Sequence, residues 1–160
     1  MIELSVIIPT RDRADILMET LTRLAGQETI CPFEVLVVDD GSSDATVAMV
    51  RSFAERSPVP VAVLEQESNG PAAARNTGIA AARGSACLFI GDDTWPRSDL
   101  VERHARLHRR RPEAHAALLG HVEWAPESRP SPFMQWLNTG LQFDFDQITD
   151  PDKVGGSCFY

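Results

Sequence analysis

The feature that most constrains this chain is a repeated alternation of short apolar runs with longer segments of helical spacing. The apolar runs have the length and composition of buried parallel strands, and they cover residues 4–8, 33–38, 61–64 and 86–90. Apolar residues recur at helical spacing in the segments that follow them, at about 16–24, 44–53, 71–83 and 98–108. This order predicts an α/β fold with a mostly parallel sheet flanked by helices.

Length and composition fit a globular domain. The chain has 160 residues, of which 43% are hydrophobic and 24% charged, close to the average for such domains. A formal net charge of −8 argues against general nucleic-acid binding, which needs basic surfaces. Three cysteines without a Cys-x-x-Cys pair favour a reducing compartment over disulfides or structural zinc. No signal peptide or long apolar run is seen, so we expect a cytoplasmic location, with attachment to the inner membrane face left open.

Polar clusters follow three of the four predicted strands. They lie at residues 9–13, 39–42 and 91–93. The carboxyl ends of parallel strands meet at one edge of the sheet, where ligands of such folds bind. We therefore expect the three clusters to converge on one site.

Asp92 and Asp93 form the most acidic part of these clusters. Two adjacent carboxylates in a cleft repel each other, and a divalent cation relieves that repulsion. Hard oxygen ligands suit Mn²⁺ or Mg²⁺ bridging a substrate diphosphate. A turn followed by a helix cap would use the same residues, but the position at a strand end favours the metal site.

Asp39 and Asp40 end the second strand. A carboxylate at Asp40 could accept hydrogen bonds from a nucleobase or from ribose hydroxyls. Alternatively, it could cap the helix that begins near Asp44. We expect Asp40 to contact a ligand and Asp39 to be structural.

Several basic side chains accompany the acidic clusters. Arg11, Arg13 and Arg75 are candidates for binding phosphate through their planar guanidinium groups, and Arg11 could stack on a base. Solvated surface charge is the alternative for all three. His104 and His108 lie four residues apart in a basic segment without a third zinc ligand at suitable spacing, so we expect a surface face there.

Four segments in this order resemble glycosyltransferase family 2, the inverting enzymes of GT-A fold. They are residues 5–13, 37–44, 69–78 and 89–93, and each is weak alone but specific in combination. The resemblance implies a Rossmann-like GT-A core over residues 1–111 and the start of an acceptor-side region over residues 112–160. It also implies a nucleotide-diphosphate sugar as donor and a lipid, polysaccharide or protein as acceptor.

The resemblance also implies roles for individual residues. The nucleotide pocket would be lined by Pro9, Thr10, Arg11, Arg13, Asp40, Arg75 and Asp92. Asp40 would hydrogen-bond the base, Asp92 would face the ribose, and Asp93 would bind Mn²⁺ or Mg²⁺. Arg13 and Arg75 would lie near the base and the diphosphate.

Two positions depart from the family pattern. Arg11 stands where the family often has an aromatic residue, so base stacking would involve a guanidinium. Gly91 stands at the first position of the family's frequent Asp-x-Asp motif. The second Asp of that motif is kept as Asp93.

The catalytic base of the family is an acidic residue in the acceptor-side half, where it deprotonates the acceptor hydroxyl for an in-line displacement with inversion. We expect this base beyond Tyr160, because none of the nearby acids has the expected context: Asp144, Asp146, Asp150 and Asp152. In the acceptor-side region, the sequence predicts a strand at 114–122, a short helix at 133–137 and the start of a strand at 155–160.

Other classes of function fit less well. Sugar nucleotidyltransferases and dinucleotide-binding enzymes need a glycine-rich loop after the first strand, and residues 9–13 contain no glycine. A non-catalytic nucleotide-sugar-binding or interaction module is the main alternative, favoured by Gly91 and by the missing base. Self-association is left open.

Overall fold

The structure, a computed structural model, describes residues 1–113, 116–120, 122–125 and 129–137. The chain divides into two compact units, Met1–Ala116 and Ala117–Tyr160. The first unit contains a sheet and four helices in alternation. Its elements are β1 (Leu4–Thr10), α1 (Ala14–Ala25), β2 (Phe33–Asp39), α2 (Thr46–Ala54), β3 (Val61–Glu65), α3 (Gly70–Ala81), β4 (Ala86–Phe89) and α4 (Leu100–Arg110).

The four strands form one parallel sheet in the order β3-β2-β1-β4. Successive side chains of a strand point to opposite faces, so β1 contributes to two cores. Val6 and Ile8 pack in the larger core with Leu17 of α1, whereas Ile7 packs with Ala74 of α3 in the smaller one. Helices therefore cover both faces, and the predicted α/β fold with a parallel sheet flanked by helices is confirmed.

The strands at the centre run further than the apolar pattern predicts. The pairing of β1 with β2 continues to Thr10 and Asp39, although both residues are polar. Pro9 is tolerated within β1 because it lies beyond the pairing with β4, which ends at Ile7. The parallel pairing thus places Thr10 and Asp39 side by side at the carboxyl edge of the sheet.

The sequence predicts Asp12 as the cap of α1 and Ser42 or Ser43 as the cap of α2, and the structure contradicts both predictions. Asp12 does not cap α1; its Oδ1 accepts hydrogen bonds from the backbone N–H groups of Ser43, at 2.7 Å, and Asp44, at 3.3 Å. Neither serine caps α2; instead Asp44 accepts the N–H of Thr46 at 2.9 Å. The β1–α1 and β2–α2 loops lie side by side at the sheet edge, so Asp12 holds the loop before α2 instead of the start of its own helix.

The structure of helix α4 contradicts the surface face predicted for His104 and His108. His104 is buried with a relative exposure of 5% and does not form a surface face with His108. Burial, together with the charge of His108, lowers the pKa of His104. The arginines of α4 are exposed, and among them Arg103 pairs with Asp99 and Arg109 pairs with Glu3.

In the second unit, helix α5 (Pro132–Leu137) agrees with the helix predicted at 133–137. Phe133 and Trp136 stack on it with ring centroids 5.8 Å apart. The strand predicted at 114–122 is wrong for the part that the structure describes, since residues 116–120 and 122 form no ladder with any described strand. The strand start predicted at 155–160 lies outside the described residues.

Candidate functional site

The loop after β4 meets the end of β1 through a buried hydrogen bond. Thr10 Oγ1 donates to Asp92 Oδ2 at 2.9 Å. From the loop that follows β1, Arg13 places one guanidinium nitrogen 3.2 Å from Asp92 Oδ1 and 3.1 Å from Asp93 Oδ2. Two carboxylates therefore converge on a single cationic nitrogen at the carboxyl edge of the sheet.

The two carboxylates differ in their surroundings. Asp92 is buried, and this burial raises the pKa of its carboxyl, although Thr10 and Arg13 act in the opposite direction. The Asp93 side chain is 61% exposed and touches Arg13 with one oxygen only. Asp93 is thus the carboxylate of the pair that faces outward and can reach a ligand.

These carboxylates fit a hard divalent cation. Their oxygens already meet around one positive charge, that of Arg13, and oxygen ligands suit Mg²⁺ and Mn²⁺. Among the described residues no group of three or more His, Cys, Asp or Glu could hold a metal alone. A cation here would therefore complete its coordination with oxygens from another molecule, such as a diphosphate.

Gly91 has a steric role beside Asp93. A Cβ at position 91 would lie 2.8 Å from Asp93 Oδ1 and 3.0 Å from Thr94 Oγ1. Any larger residue would therefore displace the outward carboxylate.

Asp40 is buried at the end of β2 and accepts hydrogen bonds from the loop before α3. Its Oδ1 receives Gln66 Nε2 at 2.7 Å and the N–H of Asn69 at 2.8 Å, and its Oδ2 receives the N–H of Gly70 at 2.9 Å. The bond from Asn69, joined by those from Gln66 and Gly70, lowers the pKa of Asp40 against the effect of burial. Asp40 is an ionised anchor for this loop.

Asp39 has a different surrounding from Asp40. It accepts the N–H of Ser42 at 3.0 Å and also the Ser42 hydroxyl, and it closes the turn after β2. This contact is structural, as the sequence pattern predicts. No contact of Asp39 with the acidic pair is seen among the described residues.

Two supporting contacts at this site have no signal in the sequence. Thr77 donates to Gln66 Oε1 at 2.7 Å, which orients the Gln66 amide toward Asp40. Arg11 donates to Ser68 Oγ at 2.5 Å, and Ser68 lies a long 3.4 Å from Asp40 Oδ2. Only the folded loop between β3 and α3 brings these residues to the end of β2.

Pro9 and Arg75 lie at the same edge without joining the hydrogen-bonded groups. Pro9 is half-buried in β1 opposite Val38. Arg75 lies on α3, where its guanidinium reaches only the carbonyl of Pro71 at 3.4 Å, within the part that the structure describes. The structure therefore leaves the Arg75 guanidinium without a carboxylate partner there.

Comparison with known proteins gives one family and a consistent set of relatives. The sequence profile described as "Glycosyl transferase family 2" matches residues 5–160. The "Uncharacterized glycosyltransferase YfnE" of Bacillus subtilis is 36% identical over 104 residues, covering 65% of this chain and 26% of that protein. The "Poly(ribitol-phosphate) beta-N-acetylglucosaminyltransferase TarS" of Staphylococcus aureus is 36% identical over 96 residues, covering 59% of this chain and 17% of that protein. This chain thus spans about a quarter or less of these relatives.

Solved structures show the same similarity. S. aureus TarS 1-349 in complex with UDP-GlcNAc superposes with a TM-score of 0.63 and 26% identity, covering 78% of this chain and 39% of that one. The mannosyltransferase PcManGT from Pyrobaculum calidifontis in complex with GDP-Man and Mn²⁺ gives a TM-score of 0.65 and 28% identity, covering 76% and 36%. Both solved structures hold a nucleotide sugar.

Proposed function

This chain belongs to glycosyltransferase family 2, and from that premise we propose that it binds the donor in a transfer of sugar from a nucleotide diphosphate to an acceptor hydroxyl with inversion. The observation that carries the proposal is the convergence of Asp92, Asp93 and Arg13 at the carboxyl edge of the parallel sheet. Such an edge is where ligands of open α/β sheets bind. The UDP-GlcNAc and GDP-Man complexes of the neighbours support a nucleotide-sugar donor.

We propose that Asp93 holds Mn²⁺ or Mg²⁺ together with the donor diphosphate. A cation bound there would neutralise the charge that develops on the leaving nucleoside diphosphate. Asp92, held by Thr10 and Arg13, would face the ribose. The Mn²⁺ in the PcManGT complex supports the use of a metal.

We propose that Arg13 and Arg75 bind the diphosphate. Arg13 is the counter-ion of the carboxylates, and a metal arriving at Asp93 would release its guanidinium for phosphate. Arg75 offers a guanidinium without a carboxylate partner among the described residues. Planar guanidinium groups bind phosphate oxygens in pairs.

We propose that Asp40 contacts the base through Oδ2. Oδ1 already accepts two short hydrogen bonds, whereas Oδ2 accepts one short bond and the long 3.4 Å contact from Ser68. A base N–H would take the place of Ser68. Pro9 and Thr10 would line the floor of this pocket, and Arg11 would cover the face of the base.

The acceptor and the catalytic base remain predictions. We expect an acidic base outside residues 1–160 and an acceptor hydroxyl on a lipid, a polysaccharide or a protein. No described helix is long and apolar enough to cross a membrane. The cytoplasmic location, with association at the inner membrane face, also stays a prediction, as does self-association.

Calorimetric titration with UDP, GDP and dTDP tests the proposal, each with Mn²⁺ and then with EDTA. We expect one nucleotide to bind and to bind more weakly in EDTA. Asp93→Ala should reduce the affinity in Mn²⁺ about tenfold, to that in EDTA. Asp15→Ala, which removes an equal charge from an exposed position on α1, should leave it unchanged. Absence of binding to all three nucleotides would overturn the proposal.

The alternative of a non-catalytic binding module loses part of its support. Gly91 favours it in the sequence, but a Cβ at position 91 would lie 2.8 Å from Asp93 Oδ1, so the glycine also leaves room for that carboxylate. Slow metal-dependent hydrolysis of the bound donor would decide for an enzyme. A donor that binds and stays intact over many hours would decide for the module.

A further inference from the structure

Side chains in and just after the second half of helix α1 contact the loop between β4 and α4, which carries Asp92 and Asp93 and is called the acidic loop below. Thr20 and Arg23 are three residues apart and therefore share a face of α1, and Gln27 follows just beyond the end of the helix at Ala25. The Arg23 guanidinium lies 4.7 Å from the centroid of the Trp95 ring. Gln27 Nε2 donates to the carbonyl of Arg97 at 2.7 Å. All three residues therefore contact the acidic loop.

Thr20 is the one of these three residues that contacts the backbone around the two aspartates. Its hydroxyl lies 2.8 Å from the carbonyl oxygen of Asp92 and 3.1 Å from that of Thr94. The first carbonyl belongs to the peptide group that joins Asp92 to Asp93, and the second to the peptide group that follows Thr94, so the two contacts bracket residues 93 and 94. One buried hydroxyl thus fixes the backbone from which the Asp93 carboxylate projects.

The Thr20 hydroxyl has no other described function in the fold. The side chain is completely buried, and its i−4 carbonyl is not its acceptor, as it is for the exposed Thr22. A valine has nearly the same volume but lacks the hydroxyl, so it would leave these carbonyls without the donor. The choice of threonine over valine therefore points to the loop rather than to the core.

We infer that Thr20 is a positioning residue for metal-dependent donor binding, acting through the backbone around Asp93. This inference rests on the proposed function. Metal sites depend on outer contacts that orient the ligands, and Mg²⁺ tolerates little departure from its preferred geometry. Loss of the hydroxyl leaves two carbonyls without this donor, and the loop is expected to shift to satisfy them.

The test compares Thr20→Val, Thr20→Ser and Gln27→Met. The quantity measured is the metal coupling, which is the ratio of the nucleotide dissociation constant in EDTA to that in Mn²⁺, with UDP and GDP as probes. Gln27→Met is the control because it removes side-chain hydrogen bonds to Arg97 O and from Val101 N, at the far end of the same loop from Asp93. Urea unfolding of each variant gives its stability separately.

We expect Thr20→Val to reduce the coupling roughly five- to tenfold, the value of one lost buried hydrogen bond. Thr20→Ser, which keeps the hydroxyl, should restore it, and the affinity in EDTA should be the same for all variants. Gln27→Met should lose stability but keep the coupling. If Thr20→Val does not fold, Thr20→Cys replaces it, because a thiol keeps the volume and donates only weakly.

Three results would overturn the inference. They are an unchanged coupling in the variant without the hydroxyl, an equal loss of affinity in EDTA and in Mn²⁺, and an equal loss of coupling in Gln27→Met. Each would show that Thr20 is a general packing residue. Failure of the proposed function is distinguishable, because the unaltered chain would then bind neither nucleotide in either condition.

Discussion

Two buried aspartates at the same edge of the sheet have opposite pKa shifts. Asp40 accepts hydrogen bonds from the donors of one loop, and these lower its pKa. Asp92 has fewer donors, and burial raises its pKa. A lowered pKa in the folded state stabilises the fold above the unfolded pKa of about 3.9. A raised pKa has the opposite sign, so ionised Asp92 costs stability at neutral pH.

Asp40→Asn should therefore destabilise the first unit. The asparagine amide would point an N–H donor at groups whose hydrogen bonds Asp40 now accepts. We therefore expect a loss of about 1–3 kcal/mol in the free energy of unfolding at pH 7. The difference should shrink as the pH falls below about 4, where the aspartate of the unfolded chain becomes protonated first and the native one follows at lower pH. Urea unfolding at several pH values measures it. An equal difference at pH 7 and pH 3 would contradict the assignment.

Gly91→Ala should weaken metal-dependent nucleotide binding. The added Cβ would meet Asp93 Oδ1 at 2.8 Å, so the carboxylate must move, and we expect roughly a tenfold loss of affinity in Mn²⁺ and none in EDTA. Calorimetric titration measures both. Gly26→Ala is the control, because its Cβ would lie at 3.7 Å or more from any neighbour. An unchanged affinity in Gly91→Ala would show that Asp93 does not need its present position.

The sequence could identify these aspartates but not the groups that surround them. Asp40 and Asp92 each lie two residues beyond an apolar run, and the end of a strand is visible in a sequence. Gln66 contacts Asp40 directly, Thr77 contacts Gln66, and Thr20 contacts the Asp92 carbonyl. All three lie in other elements, in positions that residue type does not distinguish from ordinary loop or helix residues. Contacts of this kind depend on the packing of whole elements.

At the amino ends of the strands, opposite the candidate site, a buried carboxylate holds the sheet. Glu34 on β2 accepts hydrogen bonds from Ser5 Oγ at 2.8 Å, from Arg83 N at 2.8 Å and from Arg83 Nε at 2.7 Å. Burial raises its pKa, but the bonds from Arg83 and Ser5 outweigh this and lower the pKa overall. The end of α3 is thereby fixed to the start of β1 and β2, far along the strands from the acidic pair.

Glu34→Gln should lower stability without affecting the ligand edge. We expect a loss of about 1–3 kcal/mol in the free energy of unfolding at pH 7, and unchanged nucleotide affinity in Mn²⁺. Because the folded pKa is lowered, the loss should diminish below about pH 4.3. Glu65→Gln on β3 is the control, since its pair with Arg51 is half-exposed, and such pairs contribute little, within about 1 kcal/mol. Altered nucleotide affinity in Glu34→Gln would contradict this division of roles.

Apolar periodicity predicted the existence and order of the elements of the first unit, but their boundaries only approximately. Helix α3 was expected to reach Arg83, yet it ends at Ala81, because Arg83 and Gly84 donate their N–H groups to Glu34 and Ser5. A short-range pattern cannot show which distant acceptor replaces a helical one. The same reason explains why Asp12, which precedes α1 in the sequence, holds the loop before α2 instead of capping α1.

At the scale of the whole molecule, the candidate site belongs to one unit. Every residue proposed to bind the donor or the cation lies between Pro9 and Asp93, within Met1–Ala116. The sheet, both cores and the support of the acidic loop by α1 lie in the same unit. Donor binding and acceptor binding are thus expected to be separable functions of different parts of the protein.

A chain of residues 1–116 should therefore fold and bind the nucleotide as the 160-residue chain does. We expect the same nucleotide preference, dissociation constants within about twofold and the same weakening in EDTA, because no proposed contact is removed. Circular dichroism and thermal unfolding establish that the shorter chain is folded before calorimetry compares the two. A folded chain of residues 1–116 without affinity would place a required ligand group in the second unit and overturn the division. Retained affinity would assign the second unit to functions other than holding the nucleotide.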